Sequence, residues 1–357
     1  MAVKNYLSVL ILIAVVVFIQ LATKATDTSY YLTQLTMTGY YSLVIIGLCL
    51  VMGYAGQISL GHAGFFAIGG YTSGALTTYN LTLLLEQGNG LVSFLSDKGL
   101  LISTLDLYGE AVLYVNPWLA AILAVILTAC IAFFIGIPVL KLKGHYLAMA
   151  TLGFGIIIFR VVLATEIFGE ADGISEIPGF TLFPGVCING DFGNRVMNYY
   201  IAWGLVLIGV ILLLNLIHSR VGRALRAIHG AEDAANAMGV NTSRYKLYTF
   251  VISAVFAAVA GIFLTHYNGG IGPSEAGIMK SVRYVAIVAI GGMACMWGAL
   301  TMGVLLNFMS LRGMFGSYDD AVFGAIMIII MLFAPNGLLN LPVWQKISKS
   351  IAGKEKG

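Results

Sequence analysis

Long apolar runs separated by short polar breaks set the rhythm of this chain. They fall at about 6–22, 37–53, 60–79, 118–140, 145–165, 198–217, 247–267, 283–297, 298–314 and 319–334. A helix needs about 20 apolar residues to cross a bilayer, and about 17 at the least. The pattern predicts an all-α polytopic membrane protein with about ten transmembrane helices. Several runs are at or below the lower limit, so some segments are expected to be tilted, broken or re-entrant. Lys4 ahead of the first run also fits a cleaved signal peptide. The length of that run and the lack of a nearby A-x-A site favour a retained helix.

Composition agrees with this pattern. The 357 residues are 59% hydrophobic and only 10% charged, with mean hydropathy +0.92. Soluble domains carry about 25% charged residues, so this surface must face lipid. The net charge of +3 gives no reason to expect nucleic acid. Cys49, Cys130, Cys187 and Cys295 form no CxxC or Cys/His cluster, which predicts neither structural zinc nor a disulfide.

Charge placement orients the spans. Arg220, Arg223, Arg226, Arg244 and Lys246 crowd the 218–246 loop, Lys141 and Lys143 mark another short loop, and lysines lie near both ends. The 166–197 loop instead carries Glu166, Glu170, Asp172, Glu176 and Asp191. Basic loops stay in the cytoplasm, and ten spans with both termini inside satisfy every loop. The chain then reads as one transmembrane domain over 1–357. Extracytoplasmic loops fall at 80–116 and 166–197, and a basic cytoplasmic tail at 341–357. Stretches such as Leu81–Leu85 suit the membrane interface.

Residues 53–74 read GYAGQISLGHAGFFAIGGYTSG. Gly70 and Gly74 make a GxxxG pair suited to close helix packing. Between Gly53 and Gly64 the glycines alternate with Gln57, Ser59 and His62. Irregular backbone at membrane depth is tolerated where protein buries it or it lines a wet cavity. A helix broken there points free N–H groups at a carboxylate. Gly56, Gln57, Ser59, Gly61 and His62 are therefore candidates for the substrate pathway. A packed histidine at His62 and a short cytoplasmic turn at Gly53–Gly56 are the competing structural readings.

The spans hold almost no acids or lysines, with Arg160 inside one run and Lys280 and Arg283 flanking another. Proton relays need intramembrane acids, so ion coupling is disfavoured, and carbonyl-built sodium sites stay open. No GxxxxGK[ST] loop occurs, so a partner must supply any ATPase. No catalytic set or metal-ligand group stands out among the scattered histidines.

Residues 231–239, AEDAANAMG, predict one short cytoplasmic helix. Glu232 and Asp233 complement its N-terminal dipole. Ala234, Ala235 and Ala237 offer a smooth face for docking. Gly239 is placed as a C′ residue, with Val240 closing a Schellman motif. Arg220, Arg223 and Arg226 can pair with acids or with membrane lipid phosphates. A solvated loop that only fixes topology is the bland alternative.

Asp233-Ala-Ala-x-x-x-Gly239 resembles the EAA loop of ABC-importer permeases, with Asp in the usual Glu place. GHYLAMATLGFG at 144–155, ADGISEIPG at 171–179, the 234–261 segment and LFAPNGL at 332–338 strengthen the likeness. In this order, with 53–74, they resemble the LivM-like permease family of branched-chain amino acid importers over roughly 37–340. The 80–116 insertion is longer than the family pattern.

The resemblance implies an inward alternating-access permease in a prokaryotic cytoplasmic membrane. Its implied partners are a second related permease, two cytoplasmic ATP-binding subunits and an extracytoplasmic binding protein. ATP and Mg would be used by those ATPases, with no cofactor on this chain. Coupling would involve Arg223, Glu232, Asp233, Ala234, Ala235 and Gly239. Thr151, Gly153 and Gly155 join the pathway candidates. Related permeases serve urea, short amides or other amino acids. A gated channel for small neutral solutes, a sodium-coupled carrier and a membrane enzyme are the readings from other classes.

Overall fold

Backbone polar groups find no water in hydrocarbon, so a chain this apolar closes its hydrogen bonds within helices. The computed structural model describes residues 2–82, 85, 90–105, 111–314 and 316–333. The 341–357 tail, most of 332–338 and parts of the 80–116 loop lie outside these. Among the described residues the helices are α1 (Ala2–Ala25), α2 (Tyr31–Cys49), α3 (His62–Thr78), α4 (Gly90–Asp97), α5 (Pro117–Val139), α6 (His145–Ala164) and α7 (Arg195–His218). They continue with α8 (Arg220–Gly230), α9 (Glu232–Ala237), α10 (Thr242–Asn268), α11 (Ile278–Gly291), α12 (Met296–Leu311) and α13 (Asp319–Phe333).

Each apolar run has become a helix. Six helices are long and apolar enough to span a membrane, namely α1, α2 with its extension to Tyr54, α5, α6, α7 and α10. The 17-residue α3, 14-residue α11, 16-residue α12 and 15-residue α13 are shorter. The outer loops add two hairpins to the helical frame. They are β1 (Leu101–Leu105) with β2 (Ala111–Val115), and β3 (Phe180–Phe183) with β4 (Val186–Ile188), each antiparallel.

Burial separates centre from rim. In the apolar window of α2, 94% of residues are buried, against 17% in α1 and 28% in α5 and in α6. Without a hydrophobic drive between helices in lipid, close packing needs small residues. The α3–α10 contact shows this. A Cβ on Gly261 would lie 2.1 Å from the Phe66 carbonyl oxygen, and one on Gly69 2.5 Å from that of Ala258. Gly70 and Gly74 pack likewise, against Thr265 and Ile177. The GxxxG glycines thus serve helix packing.

Two imidazole–hydroxyl links pin the same interface. His62 Nε2 lies 2.7 Å from Ser253 Oγ, and Ser73 Oγ 2.8 Å from His266 Nε2. The second imidazole also donates from Nδ1 to the Pro178 carbonyl at 2.7 Å, so its Nε2 accepts from Ser73. This ties α10 to the acidic 166–197 loop, as does the antiparallel bridge Ile174–Ile271.

The connections gather at two ends of the bundle. Residues 55–57, 142–144, 228–232 and Lys246 line one cavity. At the other end Arg312 donates to Tyr31 Oη at 2.9 Å, and the 166–197 loop meets 269–271. The basic loops therefore share one end and the acidic loop occupies the other.

Candidate functional site

The chain between α2 and α3 leaves α-helical geometry. A π-helical turn occupies Leu50–Tyr54, irregular backbone runs through 55–61, and α3 begins at His62. Gly56 has φ +68°, in the left-handed region open to glycine. Side chains from neighbouring helices brace the break. Leu60 N–H donates to Thr151 Oγ1 on α6 at 3.0 Å. Ala63 N–H, in the first turn of α3, donates to Ser281 Oγ on α11 at 3.2 Å.

This brings together most of the predicted pathway residues. Ser59 Oγ lies 3.1 Å from His62 Nδ1, so the imidazole bridges Ser59 and Ser253. A Cβ on Gly61 would approach the Thr151 carbonyl oxygen to 2.8 Å, and Gly155 lies against Leu60 and Gly61. Gly153 stands apart, because a Cβ there would meet nothing within 4 Å. His62 is buried, and both its nitrogens lie against serine hydroxyls rather than a backbone group. Gln57 differs from all of them. It is 2% exposed, and neither amide atom has a hydrogen-bond partner.

The basic loop lies directly beneath. Helix α8 buries Gly222, Leu225 and Ile228 and turns Arg220, Arg223 and Arg226 outward. Arg226 donates to the carbonyls of Ile217 and Gly222, both at 3.3 Å, serving the end of α7 where cations are favoured. Helix α9 then ends in a Schellman motif. Val240 N–H bonds Ala235 O, Gly239 N–H bonds Asn236 O, both at 3.0 Å, and Gly239 takes φ +84°.

The acids of α9 find lysines rather than the preceding arginines. Glu232 pairs with Lys246 of α10 at 2.5 Å, and Asp233 with Lys143 of the α5–α6 turn at 3.2 Å. The first pair is mostly buried and the second exposed. Ala235 faces inward, whereas Ala234, Ala237 and Met238 are exposed, Met238 by 85%. The outward face of α9 is therefore small and uncharged at those positions.

A cavity of about 220 Å³ joins the two regions, lined among others by Gly56, Gln57, Leu147, His229, Glu232 and Lys246. A larger hollow of about 430 Å³ lies among α1, α7 and α12, walled by side chains such as Ile11, Val15, Trp297 and Val304. That hollow is lined almost wholly by apolar side chains, so it does not suit a polar solute. Sequence reasoning missed Ser253 and Ser281. Ser253 carried the signal of a hydroxyl among small apolar positions, whereas Ser281, between Lys280 and Val282, carried none. It also missed Lys143 and Lys246 as partners of the acids, because those pairs are formed by tertiary structure.

Among the described residues, no group of three or more His, Cys, Asp or Glu is placed to hold a metal. Residues 30–331 match the family model described as branched-chain amino acid transport system / permease component. The chain is 32% identical over 344 residues to the high-affinity branched-chain amino acid transport system permease protein LivM of Salmonella typhimurium, covering 90% of this chain and 72% of that protein. It is 27% identical over 330 residues to the corresponding permease protein LivH of Escherichia coli, covering 89% and 98%. BraD of Pseudomonas aeruginosa is 27% identical over 335 residues, with the same coverage. No solved structure matches the chain.

Proposed function

The chain belongs to the branched-chain amino acid transport permease family, and from that premise we propose that it is a transmembrane permease subunit of an ATP-driven importer of hydrophobic amino acids. One observation carries the mechanism. The cavity floor shared by Gln57, Glu232 and Lys246 puts the break between α2 and α3 against the anchored helix α9.

In this reading two cytoplasmic ATP-binding subunits dock on the coupling loops of the paired permeases, one of them on the exposed face of α9 at Ala234, Ala237 and Met238. Arg223, exposed on the preceding helix α8, joins the docking surface in this reading, and the Asp233–Lys143 pair flanks it. Closure of the ATPases pushes α9. The Glu232–Lys246 pair and inward Ala235 pass the push to α10, which is locked to α3 by His62–Ser253. The break at 55–61, braced by Thr151, Gly61 and Gly155, is the compliant point that then opens or closes. Gln57 offers its unpaired amide to the passing head group, with Gly56 allowing close backbone approach.

ATP and Mg are used by the partner subunits, and this chain holds no cofactor. A second related permease completes the pathway, and an extracytoplasmic binding protein delivers substrate at the 166–197 end. The basic end faces the cytoplasm of a prokaryotic cell, with both termini inside.

Gly239→Pro tests the coupling. Proline fixes φ near −65° and removes an N–H, whereas Gly239 sits at +84° and donates to Asn236. The expected result is loss of co-purifying ATPase from mild detergent and loss of ATP-dependent leucine uptake in proteoliposomes. ATPase retained with full uptake would overturn the docking assignment.

A further inference from the structure

At the end remote from α9, a charged pair is set among buried tyrosines. Glu275, in the 3₁₀ turn Pro273–Ala276, accepts on Oε1 from Lys280 Nζ at 2.8 Å and from Tyr41 Oη at 3.0 Å. Lys280 also donates to Tyr41 Oη at 3.2 Å and lies over that ring, 4.7 Å from its centre. Both bonds to Glu275 fall on one carboxylate oxygen. The other, Oε2, is buried without a partner.

Two more orphaned groups lie on helices packed against this turn. Tyr71 on α3 and Tyr284 on α11 are each 1% exposed, and neither hydroxyl has a hydrogen-bond partner. Tyr71 shares a buried cluster with Ala276, the neighbour of Glu275, and Tyr284 packs against Tyr41 with ring centres 6.3 Å apart. Buried polar atoms are normally satisfied. The free carboxylate oxygen and these two hydroxyls, beside a lysine, leave three polar atoms open to a guest. The side chains of Glu275 and Lys280 keep 19% and 25% exposure, so the pair is reachable.

We infer that this cluster is an outer head-group site for a zwitterionic α-amino acid, an inference that rests on the importer reading above. The guest's ammonium donates to Glu275 Oε2 and to the hydroxyl oxygens of Tyr71 and Tyr284. Its carboxylate draws the Lys280 ammonium. The zwitterion supplies one charge of each sign and so replaces the internal ion pair without stranding either partner. An uncharged urea or amide leaves both charges uncompensated. Tyr71 lies nine residues along α3 from His62, about 14 Å, so this station is separate from the broken segment.

The test is photolabelling of the assembled importer in detergent with a diazirine analogue of leucine. The expected label falls on peptides carrying Tyr71 and Tyr284, is displaced by leucine and not by urea, and drops about tenfold, equivalent to about 1.4 kcal/mol, in E275Q and in K280M. The charge-swapped variant E275K/K280E keeps an ion pair but reverses the field, and it should stay unlabelled. Full labelling of the singles or of the swap would overturn the site and leave only a structural ion pair. Y71F and Y284F keep ring volume, so label undiminished in both would also overturn it. Failure of the wild-type importer to take up leucine with ATP would instead sink the importer reading.

Discussion

Both amide atoms of Gln57 are buried without a partner, and a nearly enclosed amide in that state costs about 1–3 kcal/mol. Such a residue weakens the fold unless something else uses it. Gln57→Met removes the polar atoms at similar volume, so thermal stability of the purified protein should hold or rise by a degree or more. Uptake of leucine should fall at the same time. A variant that loses stability and keeps transport would show that the amide is structural. His62 is the opposite case, since its two nitrogens are both occupied by serines. Two polar residues five positions apart in the same glycine-rich segment thus have different work, and their partners tell them apart.

At the scale of elements, α3 and α10 meet by backbone contact rather than by side-chain interdigitation. Gly261→Ala puts a methyl 2.1 Å from the Phe66 carbonyl, and overpacking of that kind costs about 1–3 kcal/mol. The expected outcome is a lower melting temperature and poor recovery from the membrane. Gly153→Ala meets open space within its helix α6, and alanine in a helix interior gains about 0.5–1 kcal/mol over glycine. It should leave stability unchanged or raise it, with transport intact. Equal destabilisation by the two substitutions in a thermal-shift series would contradict the packing described. Helix α9 is held differently. Six residues cannot sustain a helix alone, and its order comes from the Schellman turn, inward Ala235 and the buried Glu232–Lys246 pair.

The whole molecule sorts its loops by charge, with basic segments at one end and the acidic 166–197 loop at the other. The two ends can be addressed separately with thiols. Met238 is 85% exposed at the basic end and Phe183 69% exposed in the β3–β4 hairpin. The native cysteines are all free, so a cysteine-less background is a mild change. In that background, with the chain expressed without its ATPases, Met238→Cys should react with an impermeant maleimide only in inside-out vesicles, and Phe183→Cys only in right-side-out ones. Reaction of both from one side would overturn the assigned orientation.

Hydropathy alone determined the helical class and the approximate position of the six helices that, among the described residues, are long and apolar enough to cross a membrane, because lipid leaves the backbone no alternative to internal hydrogen bonding. Local chemistry also specified the α9 cap, since Gly239 after an alanine-rich turn encodes its own left-handed stop. Loop charge was enough to group the loops, which follows from the cost of moving cations across a membrane. The partners of each polar residue were decided by tertiary structure. Glu232 meets Lys246 and not the arginines six or more residues upstream, His62 meets Ser253, and Glu275 meets Tyr41 of α2. Those pairings join positions up to 234 residues apart in the chain. Helix rotation and crossing set them, and no periodicity within a single segment records which face of one helix will meet which face of another.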